Sequence, residues 1–570
     1  METEIIVNVH PKETRVGILE DGRLTELHIE RGEKVVGNIY KGKVNQVVTG
    51  LDAAFVDIGL ERNAFLHVDD ALDEEPDRRQ RGKGREQVPP IRQVVKDGQE
   101  LLVQVTKGPV GTKGARITSR ISLPGKYSVL MAQARKQVGV SRKIPDDETR
   151  HKLREMGEKV RPANFGMIVR TQASEVGVTE MRRDVRYLEG LWKRIDSNAH
   201  TAKAPALIHE ELSLSHEVLR DVFSQDVKSF IIDDKKTYRQ ILDLLGTIAP
   251  KLKAGVMLYE GDVPIFEAYG LEEEIQKALE RKVWLEHGGY LFIDRTEALT
   301  VIDVNSGKLT GTGSLEETVL RTNLDAAREI SRQLRLRDIG GIIVVDFIDM
   351  EKQKHQRRIM SALKEEMKRH RVRTRVLHLT PLGLVEMTRQ RTGKALQEIM
   401  HVSCPACDGH GLVLSPESVV INIETALRRY AKQKDVKALQ VIAHPSVALQ
   451  MIGEDGELAD DLQKSLGKAL FVVCANRVSP ENFRVEQGNT QEFRKNYSFL
   501  KLEKQYVVRP DQIVKAPWGQ WVAILQGYPI CLTGAPEKVA DEGCYIKLVK
   551  KNGNLGVGKC VAPDKSTSMD

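Results

Sequence analysis

The chain has 570 residues, and its 87 Lys and Arg against 80 Asp and Glu leave a net charge of +7. With 41% hydrophobic and 29% charged residues and a mean hydropathy of −0.35, the composition excludes wholesale disorder, collagen and a coiled-coil rod. At about 100–200 residues per domain, the length predicts about three to five folding units.

The sequence predicts no transmembrane segment, because no apolar run approaches the ~20 residues that a span requires. The first residues lack a basic region followed by an apolar stretch, so we expect no secretion signal. Six cysteines are too few for a disulfide framework in a chain of this length, and a cytoplasmic location is expected. The basic pI of about 8.8 is compatible with nucleic acid, although by itself it is weak evidence.

The first half of the chain predicts strands and then helices. Residues 1–35 alternate polar and apolar side chains around a turn at Glu20–Arg23, which indicates a hairpin. Short strands punctuated by glycine follow and predict a small barrel, interrupted by an exposed polar loop at 69–90. Residues 127–214 read as mostly helical, with one buried strand at 166–171.

The second half opens with the strongest pattern. After mixed strands and helices at 215–280, residues 289–396 read strand, strand, helix, strand, helix, strand, which predicts an α/β layer. A short connector with cysteines at 401–411 precedes an α+β unit, and a β-rich tail closes the chain.

Two acidic side chains end apolar strands of this α/β layer. Asp303 and Asn305 share one face of their strand, and Asp346 ends another. If the strands are neighbours about 5 Å apart, both carboxylates can reach one Mg²⁺ ion, which prefers oxygen ligands. The alternative is a pair of helix caps. For Asp303, the glycine-rich segment before the next helix weighs against that alternative.

The predicted barrel carries residue types that bind single-stranded nucleic acid. Phe55 and Phe65 lie on strands of the same unit as Lys43 and Lys113. Aromatic rings stack on bases and lysines hold phosphates. The alternative is that both Phe side chains belong to the core.

The segment 351–376 is strongly basic, with ten Lys and Arg against three acids, and it follows the second acidic strand. A run of charge is usually a solvated face, but this excess could also guide a polyanion toward the acids.

Cys404 and Cys407 form a C-x-x-C pair followed by glycines, which is typical of a zinc knuckle. One pair supplies half of a tetrahedral site. His401 or His410 could complete it, or a second chain could add two more thiolates. A redox dithiol is the remaining alternative.

The order and content of these motifs resemble the bacterial ribonuclease E/G family over residues from the first to about 500. The resemblance is carried by the barrel and by six motifs, which are Ile168–Thr171, Asp303–Ser306, Asn323–Asp338, Gly340–Met350, Glu386–Arg391 and Cys404–Cys407. The chain ends at Asp570, so it resembles ribonuclease G or a short ribonuclease E, without a long scaffold tail for degradosome partners.

The resemblance implies a multidomain α/β and α+β protein. Its expected parts are a ribonuclease H-like subdomain (1–35 and 215–278), an inserted OB-fold RNA-binding barrel (36–125), a 5′-sensor (126–214), a DNase I-like catalytic subdomain (279–400), a zinc link (401–415), a small α+β oligomerisation domain (416–500) and a β-rich extension of unknown role (501–570).

The resemblance also implies an activity and its residues. The expected enzyme is a Mg²⁺-dependent, single-strand-specific endoribonuclease of RNA processing and decay, stimulated by a 5′-monophosphate and leaving 3′-hydroxyl and 5′-phosphate ends. The implied residues are Asp303 and Asp346 on Mg²⁺ with Asn305 orienting substrate or water; Phe55, Phe65 and Lys113 on RNA; Val129, Arg170, Thr171 and Arg373 at the 5′-phosphate; and Cys404 and Cys407 on a zinc ion shared between chains.

The implied assembly is a zinc-linked dimer that pairs into a dimer of dimers, a homotetramer. The competing class is a non-catalytic RNA-binding or ribosome-associated factor that uses the barrel alone.

Overall fold

The computed structural model describes residues 2–32, 34–72, 89–109, 113–132, 137–144, 146–307, 315–534 and 539–562. Most of the polar stretch 69–90 lies outside the described residues, and so do Gly311 and Gly313 of the glycine-rich segment after Asp303. The chain divides into two compact units, Met1–His401 and Val402–Asp570.

The chain begins as an antiparallel meander rather than a single hairpin. Its strands are β1 (Thr3–His10), β2 (Glu13–Glu20) and β3 (Arg23–Arg31). Asp21, at positive φ, and Gly22 make the tight turn between β2 and β3.

A closed five-stranded barrel follows, in agreement with the sequence prediction. It contains β4 (Ile39–Val48), β5 (Ala53–Asp57), β6 (Ala64–His67), the short helices α1 (Val68–Ala71) and α2 (Ile91–Val94), β7 (Glu100–Lys107) and β8 (Arg116–Thr118). The strand β4 pairs with both β5 and β7, while β6 pairs with β8, so the sheet closes on itself. This closed barrel is OB-like.

The region expected to be mostly helical contains a four-stranded sheet. Its elements are β9 (Ser122–Pro124), β10 (Ser128–Ala132), β11 (Val138–Val140), α3 (Asp147–Val160), β12 (Phe165–Val169), α4 (Val178–Thr201) and β13 (Ala206–His209). The sheet order is β11-β12-β10-β9, and only β12 matches the strand read from the sequence. The other strands are three to five residues long, too short to show a period against their charged neighbours.

The next segment returns to the first sheet. It comprises α5 (Leu214–Asp221), β14 (Val227–Ile232), α6 (Lys235–Ile248), β15 (Val256–Leu258), α7 (Ile265–Ala268) and α8 (Leu271–Leu279). Because β14 pairs with β1 in parallel, the order becomes β15-β14-β1-β2-β3. Residues distant in sequence therefore share one hydrophobic core.

The α/β layer is a six-stranded sheet with two long helices. It comprises β16 (Lys282–Trp284), β17 (Tyr290–Arg295), β18 (Leu299–Asn305), α9 (Leu315–Leu336), β19 (Gly341–Asp346), α10 (Gln353–Lys368), β20 (Thr374–Leu379), β21 (Leu384–Arg389) and α11 (Leu396–Met400). The order is β16-β17-β18-β19-β21-β20. The strand β21 was not predicted, and it separates β20 from β19.

One face of this sheet is the hydrophobic core. Alternate residues such as Ile302, Ile343 and Val345 are fully buried against the apolar stripes of α9 and α10. The carboxylates, which alternate with these residues, must therefore point to the opposite face. We call that opposite face, which carries Asp303 and Asp346, the outer face.

The second unit contains two sheets. The first sheet region comprises α12 (Pro416–Ala431), β22 (Ala438–Ala443), α13 (Pro445–Ile452), α14 (Glu457–Leu466), β23 (Ala469–Cys474), β24 (Phe483–Gly488) and α15 (Thr490–Lys495). The second comprises β25 (Gln505–Val508), β26 (Ile513–Lys515), β27 (Trp521–Leu525), β28 (Tyr528–Thr533), α16 (Val539–Glu542), β29 (Cys544–Asn552) and β30 (Leu555–Val561). Both contribute to common hydrophobic clusters.

Candidate functional site

Asp303 and Asp346 lie directly opposite one another. Their strands, β18 and β19, are parallel neighbours, and the register pairs these two residues. Both are exposed on the outer face, since Ile302 and Val345 beside them point into the core. The condition on which the predicted metal site depends, that the two strands are neighbours, is therefore met.

The pair carries unfavourable charge. Partial burial raises the pKa of Asp346, and the charges of Asp303 and Asp349 raise it further. All three acids line an open cleft of about 300 Å³ with Asn305 and Ser306. A divalent cation in this cleft would relieve the repulsion between the carboxylates.

Asn305 positions one of the acids. Its side-chain Nδ2 donates a hydrogen bond to Asp303 Oδ2 at 2.7 Å. The backbone at Gly289 packs closely against the end of β18, since a Cβ on Gly289 would lie 2.7 Å from the Asn305 carbonyl oxygen. Only glycine fits there, at φ +117°. The predicted role of Asn305 toward substrate or water stays a prediction.

Asn323 holds the loop that follows Asp346. It is fully buried on α9, where its Nδ2 donates to Ile348 O at 2.8 Å and its Oδ1 accepts from Ile348 N at 3.1 Å. Asn323 belongs to the motif Asn323–Asp338, but the sequence by itself indicated no role for it. A polar residue at a position that faces the core was the available signal.

Neither acid caps the helix that follows it. The helix α9 begins at Leu315, well beyond Asp303, and the N-cap of α10 is Lys352 rather than Asp346. The structural alternative weighed for these acids is thereby removed.

The donor set fits Mg²⁺ better than a protein-enclosed metal. Among the described residues, no group of three or more His, Cys, Asp or Glu side chains is arranged to hold a metal ion. Mg²⁺ is usually held by one or two carboxylates, with water and substrate phosphates completing its shell. An exposed pair of carboxylates in an open cleft meets that requirement.

The two barrel phenylalanines are not core residues. Phe55 and Phe65 are half-buried and lie opposite each other on β5 and β6, between fully buried neighbours such as Ala54 and Leu66. Their ring centroids are 6.0 Å apart in an edge-to-face arrangement. Both rings therefore present to the outside of the barrel.

Lys113 precedes the short strand β8, which pairs with β6. The residue after it, Gly114, passes so close to Asn63 that a Cβ would lie 2.1 Å from the Asn63 carbonyl oxygen. Phe65 N donates to Ala115 O at 2.7 Å, so residues 113–116 run along β6. Lys113 is exposed at the start of this segment, in the same barrel as the aromatic pair.

Arg170 is anchored by main chain and carboxylate. Its Nη1 donates to Gly125 O at 2.7 Å and also lies 2.7 Å from Asp221 Oδ1. Burial by itself would raise the pKa of Asp221, but Arg220 and Arg170 hold it below the ordinary value. The guanidinium is therefore fixed in direction while remaining only half-buried.

The other residues implied for the 5′-phosphate cluster only in part. Val129 on β10 pairs with Ile168 on β12, next to Arg170 and the exposed Thr171. Arg373 is exposed before β20. Lys143 Nζ donates to Arg371 O at 2.6 Å, which links the segment after β11 to the chain just before Arg373.

Cys404 and Cys407 lie on a turn of the second unit. Cys404 is exposed and Cys407 half-buried, and Gly411 N donates to Cys407 Sγ at 3.3 Å. The backbone N–H groups of Ala406 and Cys407 lower the pKa of the Cys404 thiol. Within the described part of the chain, no third His, Cys, Asp or Glu side chain joins this pair in an arrangement that could hold a metal ion, so the zinc site stays a prediction.

Part of the basic charge at 351–376 is already paired. Lys352 contacts Glu316, Lys368 lies 2.6 Å from Glu365, and Arg369 lies 3.2 Å from Glu366. The net attraction for a polyanion is therefore smaller than the count of residues suggests.

Across the described residues, every helix is too short or too polar to cross a membrane.

The chain is similar in sequence to known ribonucleases. A profile of the ribonuclease E/G family matches residues 122–392. Ribonuclease G of Escherichia coli (strain K12) is 39% identical over 491 residues, covering 85% of this chain and 99% of that protein. Ribonuclease G of Haemophilus influenzae is 37% identical over 485 residues, with the same coverage. Ribonuclease E of Escherichia coli (strain K12) is 34% identical over 520 residues, covering 90% of this chain and 48% of that protein.

Proposed function

Because the chain belongs to the ribonuclease E/G family and is an endoribonuclease of that type, we propose that it cleaves single-stranded RNA with Mg²⁺ held by Asp303 and Asp346. The single observation that carries this proposal is the registered, exposed pair of carboxylates at the carboxyl ends of β18 and β19. Family membership also favours an enzyme over the competing non-catalytic RNA-binding factor.

Each residue of the site has a task in this proposal. Asp303 and Asp346 hold the ion, Asn305 fixes the direction of the Asp303 carboxylate, and Asn323 holds the loop beside Asp346. When bound, Mg²⁺ supplies Lewis-acid chemistry, activating water and stabilising charge on the phosphate. Hydrolysis leaves a 3′-hydroxyl and a 5′-phosphate.

The barrel and the four-stranded sheet provide RNA contacts away from the carboxylates. Phe55 and Phe65 offer stacking surfaces, and Lys113 offers a cation for the backbone. Arg170, fixed by Gly125 and Asp221, presents a planar donor that suits a terminal phosphate together with Thr171, Val129 and Arg373. We assign this group the sensing of a 5′-monophosphate.

The cysteine pair supports a shared zinc site. Cys404 and Cys407 supply two thiolates, and the same pair from a second chain would complete Cys₄ coordination in a dimer, with two dimers forming a homotetramer. A reducing cytoplasm would keep these thiols available. Cys404→Ser should release zinc and split the assembly, whereas Cys560→Ser should do neither. A zinc-loaded monomer of the parent protein would contradict sharing.

The decisive experiment compares matched 5′-phosphate and 5′-hydroxyl RNA oligonucleotides, with and without Mg²⁺. The parent protein should cleave only with Mg²⁺ and should cleave the 5′-phosphate form faster. Asp303→Asn should fold, bind RNA and fail to cleave, while Asp243→Asn, an exposed acid on α6, should cleave normally. Cleavage by Asp303→Asn at the parent rate would refute the assignment.

A further inference from the structure

The outer face of the catalytic sheet carries aromatic side chains next to the two carboxylates. On β17, Phe292 lies opposite Asp303 and Tyr290 lies opposite Asn305. On the edge strand β16, Lys282 lies opposite Phe292, and Trp284 lies opposite Tyr290. Residues opposite one another on neighbouring strands share a face, so these side chains form two rows that lead from the carboxylates to the sheet edge.

The rings in these rows are packed against one another. The centroids of Trp284 and Tyr290 are 5.4 Å apart, and those of Tyr290 and Phe292 are also 5.4 Å apart, both edge to face. Such contacts restrict ring rotation and keep the aromatic surface in one orientation.

Two cations are seated among these rings. Lys282 Nζ lies 3.9 Å from the centroid of Trp284 and 3.9 Å from that of Tyr290. The Arg281 guanidinium lies 5.0 Å from the Phe292 centroid and is held by Asp294. The cation–π contacts fix positive charge at the level of the rings.

Trp284 remains largely exposed despite these contacts, with 66% of its surface accessible. Its strand neighbours Val283 and Leu285 are buried in the core, so the hydrophobic core does not require the indole. An exposed indole in an ordered aromatic and cationic row is typical of a binding surface.

We propose that Trp284, Tyr290 and Lys282 form a stacking platform for the RNA bases next to the scissile phosphate. The strands that carry the platform, β17 and β16, lie one and two strand spacings from Asp303, about 5 and 10 Å, within reach of the adjoining nucleotides. Bases would stack on the exposed indole, while Lys282 would contact backbone phosphate. The inference rests on the proposed function, since it places the scissile phosphate at the carboxylates.

Single-stranded RNA fits this surface better than a protein partner. The rows combine π faces with fixed positive charge, which matches bases joined by phosphates. They are also continuous with the carboxylate pair, where a phosphate must lie during cleavage. A contact with a second copy of the chain would need neither the cations nor that continuity.

The test measures binding and cleavage separately. In the Asp303→Asn background, the dissociation constant for a single-stranded RNA with one cleavage site is measured by fluorescence anisotropy. Trp284→Ala should weaken binding by about 5- to 150-fold, the range of one base stack. Trp284→Tyr should retain most of the affinity. In the active enzyme, Trp284→Ala should raise KM more than it lowers kcat.

RNAs with a single abasic nucleotide identify the stacked base. At one position beside the scissile bond, removing the base should weaken binding to the protein that retains Trp284. The Trp284→Ala protein should bind that abasic RNA and the intact RNA equally well, because the stacking contact is already lost. Leu458→Ala, an exposed apolar side chain of the second unit, is the matched control and should change nothing. Trp284→Leu, which preserves apolar contact, replaces Trp284→Ala if that variant loses thermal stability.

The outcomes separate this inference from the proposed function. The platform would be overturned if Trp284→Ala and Trp284→Leu bind RNA with the affinity of the parent. It would also be overturned if, at every position, the loss of affinity caused by removing a base is the same in these variants as in the protein that retains Trp284. A changed sedimentation coefficient with unchanged RNA affinity would also overturn it, in favour of a contact between copies. If Asp303→Asn cleaves normally while Trp284→Ala weakens binding, the carboxylate assignment fails. Trp284 then remains part of an RNA-binding surface, but its placement next to the scissile phosphate is overturned.

Discussion

The surroundings of Asp184 and of Asp346 show two opposite ways in which this protein uses an acidic side chain. Asp184 on α4 is fully buried and accepts hydrogen bonds from Lys126 N, Tyr127 N, Ser128 N and Ser128 Oγ at 2.8 to 3.0 Å. Asp346 is exposed and faces a second carboxylate in register. One acid is satisfied by the fold, and the other is left in need of a cation.

This difference separates a structural acid from a candidate functional one. Burial raises the pKa of Asp184, and its four hydrogen bonds oppose that rise. For Asp346, slight burial raises the pKa, and the negative charges of Asp303 and Asp349 raise it further. Among the described residues, no side-chain or backbone donor forms a hydrogen bond with the Asp346 carboxylate. An acid in such surroundings is available to a ligand, and perturbed acids concentrate at functional sites.

The largest expected effect is on catalysis, at Asp346. Asp346→Asn removes a negative ligand, so cleavage in Mg²⁺ should fall about a thousandfold or more, because metal stabilisation contributes several kcal/mol. Folding should not suffer, since the change removes repulsion with Asp303. Single-turnover cleavage and thermal unfolding measure the two effects. A variant that cleaves at the parent rate, or that unfolds at a much lower temperature than the parent, would contradict the contrast between a functional Asp346 and a structural Asp184.

The reverse pattern is expected at Asp184. Asp184→Asn replaces an acceptor for four donors with a group that brings its own N–H, so the free energy of unfolding should fall by about 2–4 kcal/mol. Denaturant unfolding measures this loss. Asp196→Asn, an exposed acid on the same helix, should change stability by less than about 0.5 kcal/mol. Equal losses in the two variants would contradict the structural role.

A smaller effect on cleavage is expected at Asn323, which is buried like Asp184 but holds the loop beside Asp346. Asn323→Ala frees the loop beside Asp346, so cleavage should fall about 10- to 100-fold and the half-saturating Mg²⁺ concentration should rise, as for other residues that orient ligands. Raising Mg²⁺ should recover part of the rate. A loss of stability with an unchanged Mg²⁺ dependence would instead mean that Asn323 only supports the fold.

The smallest effect is expected at Arg170, which is partly satisfied by Asp221 and Gly125. Arg170→Lys keeps the charge but loses the planar fork, so the preference for a 5′-phosphate over a 5′-hydroxyl should fall by about tenfold, the value of one hydrogen bond to a charged group. Arg373→Ala should reduce the same ratio, and Arg239→Ala, an exposed arginine on α6, should not. An unchanged ratio in both sensor variants would remove the assignment.

The elements with a long, clear period were predictable. The strands β17 to β19 and the helices α9 and α10 follow the order predicted for residues 289–396, because apolar strands and amphipathic helices carry strong patterns. Short strands such as β10 and β11 were missed, since a few residues cannot establish a period. The strand β21 was also missed, although it is as long as β17 and β19. Tertiary pairing holds those segments in place.

Local pattern by itself determined that Asp303 and Asn305 share a face and that Asp346 ends an apolar strand, since side chains alternate along any strand. Only the tertiary structure decided that β18 and β19 are neighbours in the register that places Asp303 opposite Asp346, and that Phe55 and Phe65 face outward. Which strand pairs with which, and which face meets the core, depends on contacts between segments far apart in the chain. Those contacts also placed Lys282, Trp284 and Tyr290 on the same face of the sheet as the carboxylates, where no local motif marked them.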